Sequence, residues 1–284
     1  SSGSMNPGLE PGLAERLHGA VKRRVPLFNP RKRLNALPET TSVHWSTRRL
    51  NYLWSHMDNC STYLEIGVQR GHTLQDVGAA FKWGVDPAPL FNTDHLPAGV
   101  RFSPCESDAF FASLDPGVAF DLAFLDGLHE WTQTYRDLLN ALRHSRAHTL
   151  IIIDDVVPSD EFSALPDEAA ALTSRAHAGR PGLEWHGDVY KVLVAVTLAH
   201  PELDYRVIDD PSGNSQAILW RRPDAAQGHW AEPSSRILSE VGRLNYFDVF
   251  VNGRAPEYFR LSPERLALDE ALDSTGQNVP DNAS

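Results

Sequence analysis

The amino-acid sequence predicts an α/β fold in which helices cover both faces of a doubly wound, mostly parallel sheet. Strand-like apolar runs alternate with helical patterns through the middle of the chain, as in sheets built from strand–helix–strand units. The run LIIID is apolar on both faces, which is typical of a central parallel strand. Two later runs flank a turn near residue 211 and predict an antiparallel edge hairpin.

The predicted elements follow in order from the N-terminus. A helix over 9–24 ends before several prolines, and a second helix is predicted over 43–57. Strands come next at 62–66, 82–86, 100–103, 120–126 and 148–154. Helical patterns between and after these strands cover 72–81, 106–114, 130–144 and 188–199. The hairpin strands are predicted at 204–209 and 216–221.

These elements divide the chain into a central domain with an extension on each side. Residues 1–4 precede Met5, indicate a cloning remnant and are excluded from the fold. Residues 5–58 are predicted to form an N-terminal helical extension, and 59–222 form the ligand-binding α/β domain. Residues 223–284 are predicted to form a C-terminal extension that ends in a disordered polar tail.

Charge and composition exclude several classes of protein. The net charge of −11 disfavours general nucleic-acid binding, although a basic cluster over 22–33 is either a solvated face or an anion-attracting site. No run approaches the roughly 20 apolar residues of a membrane span, and no signal peptide follows Met5. Cys60 and Cys105 lack metal-type spacing. We therefore expect a cytoplasmic protein that binds neither nucleic acid nor membrane.

A glycine-containing turn follows the first predicted strand. Glu65 opens the string EIGVQRG, in which Gly67 and Gly71 let the backbone turn tightly and approach a ligand at a helix N-terminus. A purely structural turn has the same pattern. Asp86 ends the second strand 21 residues after Glu65, where an acidic residue can hold a ribose diol. Because Pro87 follows, Asp86 can instead form an Asp-Pro turn.

Acidic side chains follow the next two predicted strands. Asp126 ends the fourth strand, and Asp154 and Asp155 end the fifth. Adjacent parallel strands bring these carboxylates to one edge, where they need protonation, wide spacing or a cation such as Mg²⁺. Capping of a turn is the structural alternative for each aspartate. His129 is a candidate general base, or else a cap or packing residue for the next helix.

The strings YLEIGVQRGHTL and GVDP resemble motifs I and II of class I methyltransferases that use S-adenosylmethionine (SAM). The resemblance covers about residues 45–222 and implies a Rossmann-like fold, with Gln69 at the middle glycine position of the commoner motif. It implies that Glu65 and Gly67 lie near the methionine part of SAM and that Asp86 binds the ribose.

The adenine is implied to lie near Cys105 to Asp108, and which of those four side chains contacts it stays open. Trp131 either covers the adenine or packs in the core. The complete predicted SAM-binding set is Glu65, Gly67, Gly71, Asp86, Ser107, Asp126 and Trp131.

The strings DGLHEWTQTYRDL, IIIDD and GDVYK resemble bacterial natural-product and sugar O-methyltransferases. Asp126, Asp154 and Asp155 match the spacing of the metal ligands in catechol O-methyltransferase-like enzymes. Asp126 and His129 resemble the metal-ligand and general-base pair of macrolide-sugar O-methyltransferases. The resemblance therefore implies Mg²⁺ held by the three aspartates, with His129 and Asp126 catalytic. The third ligand is usually an amide, so Asp155 leaves the coordination open.

These features predict a SAM-dependent O-methyltransferase that acts on a hydroxyl of a small molecule, such as a sugar or a glycosylated natural product. Two alternatives stay open: a metal-independent methyltransferase with His129 as base, and a noncatalytic SAM-binding partner protein. The loop 156–187 is a candidate lid. His186, Tyr190 or Lys191 can form the rim of the substrate pocket, with Asp188 as a helix N-cap. The resemblance also implies that the chain can form homo-oligomers that pack through the N-terminal helices.

Overall fold

The computed structural model describes residues 44–225 and 233–279. The predicted helix over 9–24, the basic cluster over 22–33 and residues 280–284 of the predicted tail lie outside the described residues.

The described chain forms one eight-stranded sheet with the order β3-β2-β1-β4-β5-β7-β6-β8. The strands are β1 (Thr62–Ile66), β2 (Phe81–Val85), β3 (Val100–Ser103), β4 (Phe120–Leu125), β5 (Ser145–Ile153), β6 (Leu203–Asp209), β7 (Ala217–Arg221) and β8 (Leu261–Pro263). Strand β7 runs antiparallel to both of its neighbours, and the other pairings are parallel. The doubly wound, mostly parallel sheet with one antiparallel hairpin is confirmed. Strand β8, which the sequence pattern did not predict, extends the sheet beyond that hairpin.

Helices lie between and after the strands. They are α1 (Trp45–His56), α2 (His72–Asp76), α3 (Ser107–Ser113), α4 (Trp131–Arg143), α5 (Glu168–His177), α6 (Lys191–Ala199), α7 (Ser235–Arg243), α8 (Ala255–Tyr258) and α9 (Glu264–Ser274), with a π-helical turn at Phe247–Val251. Helix α2 is shorter than the predicted 72–81, and α6 begins later than the predicted 188. Within 44–225 and 233–279, the helices are too short or too polar to cross a bilayer.

Strand β4 shows why the sheet is covered on both faces. All six of its residues are buried. Ala123 and Leu125 pack into the core layer on the side of α4 and α6, whereas Leu122 and Phe124 pack into the opposite layer. Alternate residues of a strand point to opposite faces, so a strand covered on both sides needs apolar residues toward both.

The second core layer includes helices from both ends of the described chain. Leu50 and Leu53 of α1 lie in the same apolar cluster as Leu268 and Leu272 of α9. Helix α9 also contacts α1, β6 and β7. Segments outside the central 59–222 therefore complete the core of the sheet, while the predicted boundaries at 58 and 222 stay predictions.

The pairing register brings four strand ends together. Ile66 at the end of β1 pairs with both Val85 of β2 and Leu125 of β4, and Leu125 pairs with Ile153 of β5. The residues that follow these partners therefore leave the sheet side by side at its carboxyl edge, which is the usual ligand face of such sheets.

Candidate active site

A cavity of about 730 Å³ opens at the carboxyl edge of the sheet. Its volume lies in the range of pockets that bind small molecules and cofactors. The predicted site residues that line it are Glu65, Gly67, Asp86, Ser107, Asp126, His129, Asp154 and Asp155. Gly71 and Trp131 are not among the described lining residues. One cavity thus brings together most of the residues predicted for the cofactor and for the chemistry.

Gly67 is required where the loop after β1 passes the loop after β4. Its φ is +82°, and a Cβ placed there would lie 1.9 Å from the backbone oxygen of Asp126. Any side chain would therefore push these two loops apart. Gly71 precedes α2 with a φ of +75°, and Gln69 between the glycines also has a left-handed φ of +47°. The turn is therefore built for close backbone approach, with Gly71 shaping α2 rather than lining the cavity.

Glu65 lies at the base of the cavity with only 2% of its surface exposed. The Tyr63 hydroxyl donates to Glu65 Oε2 at 2.7 Å. Burial nevertheless raises the pKa of Glu65 to about 8, so the buried carboxyl is harder to ionise than a solvated one. A positively charged ligand group beside Glu65 would favour the ionised form and gain from it.

Asp86 both shapes the glycine turn and faces the cavity. Its Oδ2 accepts hydrogen bonds from the backbone N–H groups of Val68 at 2.9 Å and Gln69 at 2.8 Å. Its Oδ1 accepts from the backbone N–H of Ala88 at 2.7 Å, which is the local turn expected before Pro87. The structural and ligand-binding interpretations of Asp86 are therefore compatible, because carboxylate oxygens can accept more than one hydrogen bond.

A polar group that the sequence analysis missed surrounds Ser107. The Ser107 hydroxyl donates to Asp137 Oδ1 at 2.6 Å, and Gln133 Nε2 donates to the same carboxylate oxygen at 3.0 Å. Burial raises the pKa of Asp137 to about 6 against the opposing effect of these hydrogen bonds. All three side chains line the cavity. The i,i+4 spacing of Gln133 and Asp137 on one helix face was the available sequence signal.

The acidic side chains after β4 and β5 crowd one another. Burial, followed by the charges of Asp154 and Asp155, raises the pKa of Asp126 well above its ordinary value. Burial and the charge of Asp155 raise the pKa of Asp154 to about 7. The predicted convergence of strand ends thus places more negative charge in one spot than the local hydrogen bonds compensate.

His129 has an oxygen in front of each of its ring nitrogens. Nε2 lies 3.0 Å from Asp155 Oδ2 and 3.9 Å from Asp126 Oδ1, and Nδ1 lies 3.1 Å from the carbonyl oxygen of Trp185. The ring stacks on Trp185 with centroids 4.8 Å apart. Because both facing oxygens are acceptors, each ring nitrogen that carries a proton can donate to the oxygen in front of it. Burial lowers the pKa of His129, but the contact with Asp155 outweighs it and raises the pKa overall.

The same residues form a donor set suited to a divalent cation. One carboxylate oxygen each from Asp126 and Asp155 and a ring nitrogen of His129 lie within 4.8 Å of one another. Hard carboxylate oxygens fit Mg²⁺, and an added imidazole also suits transition ions. Asp154, the further predicted ligand, accepts from Gln216 Nε2 at 2.9 Å and from the Asp155 backbone N–H at 2.8 Å. The structure therefore adds His129 to the candidate ligands. It also shows that hydrogen bonds from Gln216 and from the Asp155 backbone orient Asp154.

Trp131 belongs to the core rather than to the cavity. Its ring is buried beside Tyr135, so packing, the second of its two sequence interpretations, accounts for it. Its backbone N–H donates to Asp188 Oδ1 at 2.9 Å. Asp188 thus caps α4 from a distant loop instead of capping the helix that follows it, and its other oxygen binds Lys191 Nζ at 3.0 Å.

Of the three predicted rim residues, only His186 lines the cavity. Tyr190 and Lys191 are buried away from it, Tyr190 against Phe250 and Lys191 in its ion pair. The candidate lid 156–187 contains the helix α5 and joins the site through His186 and the Trp185 contact with His129. The predicted rim is therefore corrected to its single histidine.

A comparison with known protein families agrees with these features. Residues 64–156 match a family model described as a methyltransferase domain. This match confirms the resemblance to class I SAM-dependent methyltransferases, and the matched segment runs from β1 to just past Asp155. No curated protein matches the chain significantly.

Several solved structures resemble the chain at low sequence identity. A Klebsiella pneumoniae protein provisionally described as an O-methyltransferase is 18% identical, with a TM-score of 0.44 over 73% of this chain and 96% of that one. The Bacillus cereus O-methyltransferase in complex with SAH is 15% identical, with a TM-score of 0.43 over 73% and 91%. The O-methyltransferase TomG from Streptomyces achromogenes, involved in tomaymycin synthesis and in complex with SAM, is 14% identical, with a TM-score of 0.42 over 71% and 89%.

Proposed function

We propose that the protein is a SAM-dependent O-methyltransferase that methylates a hydroxyl of a small molecule with the help of a divalent cation such as Mg²⁺. The observation that carries this proposal is the convergence of Asp126, His129 and Asp155 inside the cavity that the methyltransferase motif also lines. The acceptor class, a sugar or a glycosylated natural product, rests on the resemblance of the strings around Asp126 and Asp154.

The cavity residues divide between the two ligands of this reaction. SAM, when bound, supplies a methyl group on a positively charged sulfur, so that the methyl carbon is ready for attack by an oxygen. Glu65 offers a buried carboxyl to a cationic ligand, and Asp86 offers carboxylate oxygens to hydroxyl donors. Polar partners for the adenine ring of SAM would come from Ser107, Gln133 and Asp137.

The acidic cluster would bind the cation and the acceptor hydroxyl. Asp126, Asp154 and Asp155 are the proposed ligands, because His129 cannot bind the cation through the nitrogen that takes the proton. A divalent cation bound there would lower the pKa of a substrate hydroxyl and fix its direction. His129 would take the hydroxyl proton at Nε2 while the Trp185 carbonyl holds its Nδ1–H. It can do so only when Nε2 is not already donating to Asp155.

A metal-independent methyltransferase is the second candidate. It is favoured by the 3.0 Å contact between His129 Nε2 and Asp155 Oδ2, because the histidine can offset part of the charge of the acidic cluster without a cation. His129 would act as the base once the acceptor hydroxyl takes the place of Asp155 at Nε2. In that case Asp126 and Asp154 would hold the loops in place and compensate the charge of the imidazolium.

Methyl transfer to a panel of sugars and hydroxylated glycosides tests the proposal. We expect purified protein to produce S-adenosylhomocysteine and an O-methylated product, to lose this activity with EDTA, and to regain it with Mg²⁺. Unchanged activity in EDTA would instead support the metal-independent candidate. SAM binding by calorimetry without transfer to any hydroxyl of the panel would contradict the proposed reaction and favour a noncatalytic SAM-binding protein.

A further inference from the structure

Arg49 of α1 is completely buried although it carries a charge. Its guanidinium donates to Glu264 Oε2 at 2.9 Å, Asp210 Oδ2 at 2.7 Å and the backbone oxygen of Asn214 at 2.7 Å. A fourth hydrogen bond runs to Gln216 Oε1 at 2.9 Å. A buried charged network stabilises a fold little compared with well-packed apolar groups. We therefore examine which side chains the Arg49 network orients.

The bond to Gln216 decides which way its amide points. Arginine has only donors, so the atom of Gln216 that faces Arg49 has to be the carbonyl oxygen. The amide nitrogen of the buried Gln216 then points the other way, where it donates to Ser46 Oγ at 2.8 Å and to Asp154 Oδ2 at 2.9 Å. Arg49 therefore orients Gln216 so that its amide N–H faces Asp154.

The second oxygen of Asp154 is held as well. Asp154 Oδ1 accepts from the backbone N–H of Asp155 at 2.8 Å. With one donor on each oxygen, the carboxylate plane of Asp154 is fixed while each oxygen retains accepting capacity toward the cavity that it lines. Fixing a ligand's orientation through its outer hydrogen bonds typically changes metal affinity 10- to 100-fold.

We propose that Gln216, oriented by Arg49, is a positioning residue that holds Asp154 in place to bind the divalent cation of the active site. This inference rests on the proposed function, because it assumes that the acidic cluster binds a cation. It also implies that α1, a helix before the methyltransferase motif, helps to orient the active site through Arg49. Without the Arg49 side chain, the Gln216 amide would be free to turn its oxygen toward Asp154.

Binding of Mn²⁺ alone to the full chain tests this proposal, with free Mn²⁺ measured by electron paramagnetic resonance. Gln216→Met keeps the length of the side chain but removes the donor, and we expect it to weaken Mn²⁺ binding by at least about tenfold. Arg49→Lys loses the planar guanidinium that holds the Gln216 carbonyl oxygen. We expect it to weaken Mn²⁺ binding too, which tests whether Arg49 orients the Gln216 amide.

Glu264→Gln is the matched control. It disturbs the same buried Arg49 network but leaves the Gln216 and Asp154 contacts in place, so its Mn²⁺ affinity should stay within about twofold of the wild type even if its melting temperature falls. A loss of affinity that follows melting temperature across all three variants would overturn the proposal.

The outcomes separate this inference from the proposed function. Wild-type Mn²⁺ binding that Asp126→Asn abolishes, together with unchanged binding by Gln216→Met and Arg49→Lys, would overturn only the positioning role. Absence of Mn²⁺ binding by the wild type would overturn both this role and the proposed metal assistance.

Discussion

Strand β4 carries an aspartate near each end, and the two have opposite surroundings. Asp121 is the second residue of the strand and is 1% exposed, whereas Asp126 directly follows the strand and has a side chain that is 35% exposed. The more deeply buried carboxyl has the lowered pKa, and the more accessible one has the raised pKa. Burial raises the pKa of both carboxyls, but hydrogen bonds outweigh it at Asp121, whereas neighbouring carboxylates add to it at Asp126.

Asp121 is fully provided with donors. Its Oδ2 accepts from the backbone N–H groups of Ser61 and Thr62, and its Oδ1 accepts from Arg146 Nε and His148 Nε2. Burial raises the pKa of Asp121, but these four hydrogen bonds outweigh it. Asp121 therefore ties the starts of β1, β4 and β5 together.

The Asp121 cluster also resembles a metal site in composition. Cys60, Asp121 and His148 place ligand atoms within 4.8 Å of one another. Arg146 already supplies a cation at 2.8 Å, and burial together with Asp121 raises the pKa of the Cys60 thiol to about 12. A metal would have to displace existing partners and deprotonate an unreactive thiol, which favours a structural role.

The Asp126 end has the opposite balance. Its charged neighbours are mostly other carboxylates, and the contact with His129 is long at 3.9 Å. Crowded carboxyls without compensating donors destabilise a fold and are typical of functional sites. The contrast teaches that the number and charge of donors, more than residue type or burial, separate a structural aspartate from a functional one.

The largest effect on activity is expected for a substitution of Asp126, the aspartate at the acidic end of this comparison. We expect Asp126→Asn to lower methyl transfer by about 100- to 1000-fold, since it removes charge where the reaction needs it. Its melting temperature should stay equal or rise, because repulsion with Asp154 and Asp155 is relieved. Steady-state kinetics and circular dichroism measure both. Asp224→Asn, at a side chain that is 77% exposed, is the control and should change neither.

The corresponding change at Asp121 should affect stability instead. Asp121→Ala leaves four donors without their acceptor, and we expect the free energy of unfolding to fall by about 2–4 kcal/mol. Urea unfolding measures this loss. Activity per folded molecule should stay within about twofold of the wild type, and a large loss of activity in the folded variant would end the distinction between the two ends of β4.

Asp137 sharpens the comparison, because its hydrogen bonds come from the neutral side chains Ser107 and Gln133. Its pKa is raised from 3.8 to about 6, so its contribution to stability is full below about pH 4 and is lost as the pH rises through 6. Relative to the wild type, Asp137→Asn should therefore gain on the order of 2 kcal/mol between pH 4 and pH 7.

Thermal melts across this pH range measure the gain of Asp137→Asn as a difference of roughly 4–8 °C in melting temperature. The same difference at pH 4 and pH 7 would show that neutral donors compensate a buried carboxylate as well as Arg146 does at Asp121.

The smallest expected effect concerns the histidine of the acidic cluster. The pKa of His129 is raised by Asp155 against the lowering effect of burial. Asp155→Asn should therefore lower the pKa of His129, because the contact that raises it is weakened. A titration of the histidine C–H signals by nuclear magnetic resonance, in EDTA, measures it against the remaining histidines. An unmoved His129 signal would show that Asp155 does not control the ring.

Most of the fold could be predicted because its signal is local. The strands 62–66 and 100–103 were predicted with the bounds that the structure shows, and Asp126, Asp154 and His129 line one cavity as their positions after β4 and β5 implied. Strand β8 was missed since three residues with a proline carry no periodicity and pair only because β6 already exists.

Other missed contacts join segments that lie far apart along the chain. Arg49 reaches Gln216 over 167 residues, and Asp188 caps the first residue of α4 over 57. Neither pair has a spacing that a sequence pattern can show, because hydrogen bonds between distant segments depend on how the elements pack.

The sequence by itself determined the alternation of strands and helices, the glycine turn and the placement of acidic residues directly after strands. These follow from backbone preferences and from the need to bury apolar faces, which act over a few residues. Only the tertiary structure decided which aspartate is neutralised by donors and which is left among other acids. Asp121 receives donors from Arg146 and His148, whereas in the acidic cluster Gln216, oriented by Arg49, donates to Asp154; these hydrogen bonds act between segments that only folding brings together.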